Sequence, residues 1–117
     1  MGKDDSFHEK LKKLMDDYLS EIYEVTKTFP RDELYGLTSQ LRRAALSIIL
    51  NYIEGYARKR KAVLKNFLEI SYGSLKETKY LVYFSFKQKY ITQNNYQELT
   101  DIGEEIGAML WGILRRM

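Results

Sequence analysis

Hydrophobic residues recur at three- and four-residue spacing along four stretches of the chain, the mark of one apolar stripe per helix. The first stripe is Phe7, Leu11, Leu14, Met15, Tyr18, Leu19, Ile22 and Val25, with Lys13, Asp16, Asp17, Ser20 and Glu24 outside it. It predicts a helix over about residues 5–27. Phe29-Pro30 closes that helix, because proline disfavours helical geometry in the residue before it. The second stripe, Leu41, Ala44, Ala45, Ile48, Ile49, Tyr52 and Tyr56, predicts a helix over about 33–57. Asp32 or Thr38 can supply its N-cap oxygen, and Gly36 blurs its first turn. The third helix, about 62–87, carries Leu64, Phe67, Leu68, Ser71, Leu75, Thr78, Leu81, Val82 and Ser85. The fourth, about 92–116, starts at the good N-cap Thr92 and carries Tyr96, Leu99, Ile102, Gly103, Ile106, Met109, Leu110, Ile113 and Leu114. Short connections force sequential helices to run antiparallel. The expected fold is therefore all-α: one domain over residues 1–117, an up-down-up-down four-helix bundle.

Two helices are more apolar than one bundle requires. Leu46 and Leu50 lie beyond the main stripe of the second helix. In the third, Tyr80-Leu81-Val82-Tyr83-Phe84-Ser85-Phe86 sets large apolar groups nearly all the way round. A helix that is hydrophobic on every side is usually buried on every side. Leu46, Leu50, Tyr80, Tyr83, Phe84 and Trp111 are therefore expected to meet other copies of the chain. Tyrosine and tryptophan suit such contacts because they join apolar area to a polar atom.

Composition narrows the chemistry. The chain has 117 residues, enough to bury a core without disulfides or metals. It has no cysteine, which excludes thiolate ligands, cysteine nucleophiles and disulfides, and it fits a reducing cytoplasm. The single histidine, His8, stands near the N-terminus, and no Glu-x-x-His pair is present, so no metal or cofactor is expected. No His/Asp partner set supports a serine nucleophile, and no glycine loop cradles a phosphate. Asp16-Asp17 and Glu104-Glu105 are neighbours in sequence that do not face each other on a helix. An enzyme is not expected. No apolar run reaches the ~20 residues of a membrane helix, and residues 1–6 lack the apolar stretch of a secretory signal. Met1-Gly2-Lys3-Asp4-Asp5-Ser6 fits the loose myristoylation pattern, with no other feature pointing to a lipid anchor.

Charge then separates two polar features. Gln40, Arg43, Ser47, Asn51, Glu54 and Arg58 fall within an arc of roughly 80° on the second helix, read as lying opposite Ile48 and Tyr52. Ser47 and Asn51 are mediocre helix formers for a purely solvated face. The net charge is +3, and the densest basic run is Arg58, Lys59, Arg60 and Lys61, extended by Lys65 and joined by Arg42 from the second helix. Such a cluster can neutralise phosphates and release counterions. No known RNA- or DNA-binding motif accompanies it, so backbone contacts with little sequence readout are expected.

Phe29-Pro30, Tyr35-Gly36-Leu37-Thr38-Ser39-Gln40-Leu41-Arg42-Arg43-Ala44-Ala45, Ser47-Ile48, Asn51 and Glu54-Gly55 resemble the central signature of the bacterial four-helix-bundle proteins of 23S rRNA intervening sequences. Gly73-Ser74-Leu75 with Glu77 resembles its second signature, and the similarity spans Phe7 to Leu114. Tyr52 and Tyr72 depart from the family pattern by adding aromatic bulk. The resemblance implies a ring-shaped homopentamer. It also brings in a relative of the same fold, the accessory protein of diversity-generating retroelements, which binds a reverse transcriptase and nucleic acid. On that footing Gln40, Arg43, Asn51 and Glu54 are expected to hydrogen-bond at a protomer boundary or within a partly buried network, where a buried Arg43 would need Glu54 or Glu77 as its carboxylate partner. The expected function is a cytoplasmic, oligomeric accessory protein that binds RNA or DNA. The alternative is a scaffold for a protein such as a reverse transcriptase.

Overall fold

The computed structural model describes residues 3–117, with side chains from Asp5 onward; the Met1-Gly2 start of the myristoylation pattern lies outside the described residues. The described residues form four α-helices: α1 Lys3–Thr26, α2 Leu37–Tyr56, α3 Lys61–Lys87 and α4 Gln93–Leu114. Each helix packs against its two neighbours in the cycle α1–α2–α3–α4, giving a bundle 43 Å long and 25 × 21 Å across. Its interior is the predicted stripes: Leu11, Met15, Tyr18 and Ile22 meet Leu41, Ile48 and Tyr52, Leu68 and Leu75, and Leu99, Ile106 and Leu110. Among the described residues no helix is long and apolar enough to cross a membrane.

The boundaries follow local chemistry. Thr92 caps α4 by accepting a hydrogen bond from the Asn95 backbone N–H at 3.1 Å. The start of α2 differs from the expectation. Arg31–Glu33 form a separate 3-10 turn, and neither Asp32 nor Thr38 caps α2. Glu33 does so from that turn, its Oε1 accepting from the Leu37 N–H at 3.3 Å. A Cβ on the N-cap Gly36 would sit 3.2 Å from the same oxygen, so a side chain there would crowd the cap. Tyr90 donates to the other Glu33 oxygen at 3.2 Å and rests against Phe29, tying this turn to the α3–α4 turn.

The α2–α3 seam is narrow because small residues line it. Ser71 is fully buried and donates to the Ile48 carbonyl at 2.7 Å, and the Ser47 and Ser74 hydroxyls are 2.8 Å apart. Nearer the turn, Gly55 lies against Phe67 and Leu64. Ser85 and Thr78 satisfy their buried hydroxyls on carbonyls of their own helix. Among the described residues no buried side-chain polar atom lacks a partner.

Candidate interaction surfaces

One end of the bundle is basic. There α2 gives way to α3 through Ala57–Arg60, and the antiparallel path returns the C-terminus of α4 to the same end. Arg58 pairs with Glu54 one turn back, and its guanidinium lies 5.2 Å from the Phe67 ring centre. Lys59, Arg60, Lys61 and Lys65 are exposed and form no ion pair among the described residues. Arg115 joins them: it lines one cleft of about 370 Å³ with Lys65, Glu69, Tyr72, Gly73, Trp111 and Leu114. Arg42 does not belong to this cluster. It sits sixteen residues before Arg58 on α2, about 24 Å along the axis. There its Nε donates to Thr26 Oγ1 at 2.8 Å, and its guanidinium covers the Tyr23 ring at 4.7 Å. Those contacts staple α2 to α1.

The polar arc of α2 also moves from its expected place. It runs along the flank of α2 that faces α3, about a third of a turn from the core line. Ser47 and Asn51 are half-buried there, with Asn51 Nδ2 donating to the Ser47 carbonyl at 2.8 Å. Gln40 and Arg43 border a shallow hollow with Ala44, Ser47, Ser74 and Glu77. Arg43 is exposed and has no ion pair among the described residues, whereas Glu54 is taken by Arg58. Within one protomer the carboxylate partner expected for Arg43 is therefore absent among those residues, and Glu77 shares its hollow without bonding to it.

Beyond this polar row, exposed apolar side chains stand in two groups. Leu46 (37% exposed), Leu50 (52%) and Ile53 (51%) project from α2, and Tyr80 (61%) and Phe84 (37%) from α3. Tyr80 leans on both Tyr83 and Phe84, with ring centres 6.2 and 6.4 Å away. Trp111, grouped with these by sequence, lies elsewhere. It meets Tyr72 across α3 and α4 at 6.2 Å, two turns of α3 away from Tyr80.

Three interactions had no clear signal in sequence. His8 packs on Tyr56 and meets the Tyr52 hydroxyl through Nδ1, so the extra tyrosine at position 52 is a core residue tying α1 to α2. Lys79 reaches across to Glu104. Glu21 on α1 bonds to Glu98 on α4. Burial, that hydrogen bond and the Glu98 charge push Glu21 up to about 7 from 4.5. A carboxyl that holds its proton longer when folded adds stability below pH 4.5, which is lost as the pH rises through 7. Because the group is partly solvated, the effect is about 1 kcal/mol. The urea midpoint is therefore expected to fall between pH 5 and pH 8, and Glu21→Gln is expected to flatten that profile.

The described residues hold no cluster of metal-ligating side chains, and the surfaces that stand out are a basic end, a polar seam and the exposed apolar groups. They define a small helical-bundle protein whose distinctive chemistry lies on its outside. A model of the 23S rRNA-intervening sequence protein family matches residues 9–112, and the chain belongs to that family. A crystal structure of a protein of unknown function from the S23 ribosomal protein family of Bacteroides thetaiotaomicron VPI-5482 shares the fold. The two superpose with a TM-score of 0.82 at 23% identity, covering 89% of this chain and 97% of that one. None of the curated proteins matches the chain.

Proposed function

We propose that this protein is a non-catalytic, cytoplasmic accessory protein that self-associates and binds nucleic acid, RNA above all, through the basic end of the bundle. The observation that carries this reading is the convergence of Lys59, Arg60, Lys61 and Lys65 with Arg115 at one end, exposed and without ion pairs among the described residues. A ring of copies, five as the family resemblance implies, repeats that end once per protomer and turns a modest patch into a broad positive surface. The exposed apolar groups on α2 and α3 supply the contacts between copies. The polar row beside it, Gln40, Arg43, Asn51 and Glu77, supplies hydrogen bonds across the boundary.

RNA binding followed by fluorescence anisotropy across a salt series tests the reading. Affinity is expected to fall steeply with salt. Changing Arg58, Lys59, Arg60 and Lys61 together to glutamine is expected to weaken binding by roughly 10²–10³-fold at 0.15 M salt and to flatten the salt slope. No binding at low salt overturns the proposal. The exposed Tyr80, Tyr83 and Phe84 favour a second reading, a scaffold for an RNA-associated protein such as a reverse transcriptase. A pull-down that yields a nuclease-resistant protein partner and no RNA would select it.

A further inference from the structure

We infer that the cleft between α3 and α4 takes the unpaired bases of a single-stranded nucleic acid, with Trp111 as the stacking platform. This rests on the basic-end reading and extends it from phosphates to bases. Trp111 is 54% exposed although it is the largest apolar side chain in the molecule, and its only ring neighbour among the described residues is Tyr72. Lys76 lies over the Tyr72 ring at 5.1 Å, so one tyrosine face is taken and the indole is the larger open surface. Lys65 and Arg115 line the same cleft, and Lys65 continues directly from the exposed basic turn. Gly73 stands on its wall in mid-helix, and a Cβ there would meet nothing within 4 Å, so that wall is open to an incoming ring.

An aromatic platform flanked by cations is the arrangement that holds single strands without reading sequence: bases stack, and the backbone follows the positive rim. Glu69 is the one acid in the cleft. It disfavours phosphate at its own position and leaves the backbone to the Lys65 and Arg115 side. A second copy docking here by a twofold contact would set those cations against themselves. Duplex ends offer few free ring faces, so the cleft is expected to prefer unpaired strands.

Trp111 is the sole tryptophan, so its emission reports directly on the cleft. The probes are twelve-nucleotide oligo(U) and oligo(dT), and an RNA duplex of matched phosphate number. Both single strands are expected to quench Trp111 fluorescence, with a tighter oligo(U) complex marking RNA as the natural occupant. Trp111→Ala is expected to weaken single-strand binding about ten-fold and leave duplex binding unchanged, while Trp111→Phe restores most of it. Gly73→Gln is expected to fill the cleft and weaken single-strand binding in a fold at least as stable, since glutamine is the better helix former. If single strand and duplex bind with the same salt slope and Trp111 stays silent, the cleft assignment falls and the basic-end reading stands. If Trp111→Ala changes the assembly size instead, the cleft is a protein contact and the inference is overturned. If nothing binds at low salt, both readings fall.

Discussion

A Leu46→Glu, Leu50→Glu double variant is expected to run as a folded monomer of about 13.9 kDa under conditions where the parent chain is an oligomer. Both leucines are substantially exposed in the protomer, so removing them opens no cavity in its core. Glutamate is about as good a helix former as leucine, so α2 should keep its helicity. At a contact between copies the balance is different. Burying a leucine is worth about 1.5–3 kcal/mol, roughly half of which is still available to each of these half-exposed side chains. Placing two unpaired carboxylates there costs several kcal/mol more. A penalty above about 3 kcal/mol per contact weakens association by more than 100-fold. Light scattering at micromolar concentration reads the mass, and circular dichroism checks the helices. A parent chain that is already monomeric would remove the self-association proposal, and an unfolded double variant would place these leucines in the protomer's own stability.

Gly55→Val is expected to lower the unfolding free energy by about 3 kcal/mol. Two effects oppose each other at this position. Gly55 is the last residue but one of α2, so alanine there gains only part of the ~1 kcal/mol of helix propensity that a mid-helix site would give. A Cβ at Gly55, however, would lie 3.0 Å from Phe67 Cβ and 3.1 Å from Leu64 Cδ1. The Leu64 tip can turn aside, but Phe67 Cβ is fixed to the α3 backbone, so α2 and α3 would have to separate by a few tenths of an ångström. Overpacking of this kind costs about 1–3 kcal/mol. Gly55→Ala should therefore be destabilising by roughly 1 kcal/mol, and the branched valine, which clashes further and is a poorer helix former, by more. Separation would also stretch the Ser71 bond to Ile48 and carry Arg58 away from Phe67. Urea denaturation measures both variants; an alanine that raises the midpoint would mean the helices do not approach this closely.

The four helices were legible because each needs only an apolar stripe at helical spacing, and that information is local. Thr92 was readable for the same reason: a cap acts on the helix that immediately follows it. Glu33 was not, because its carboxylate reaches Leu37 only after a 3-10 turn that depends on Phe29 and Tyr90 packing behind it. The Arg58–Lys65 run was visible as a string of charges, and so was the apolar surplus of α2 and α3. What each side chain does once neighbours arrive was not. Arg42 looks like one more cation until Thr26 and Tyr23 close on it. Trp111 looks like one more interface aromatic until Tyr72 holds it between α3 and α4, two turns of α3 from Tyr80.

Periodicity along the chain thus determined the helices, their order and the excess of apolar surface, since all three depend on residues a few positions apart. Only packing decided the rest. The rotation of α2 put the polar row beside α3, because small side chains at Ser47, Gly55, Ser71 and Ser74 let the two backbones come close. The antiparallel return of α4 brought Arg115 to Lys65. Such juxtapositions join residues dozens of positions apart, and no stripe on a single helix encodes which of them will meet.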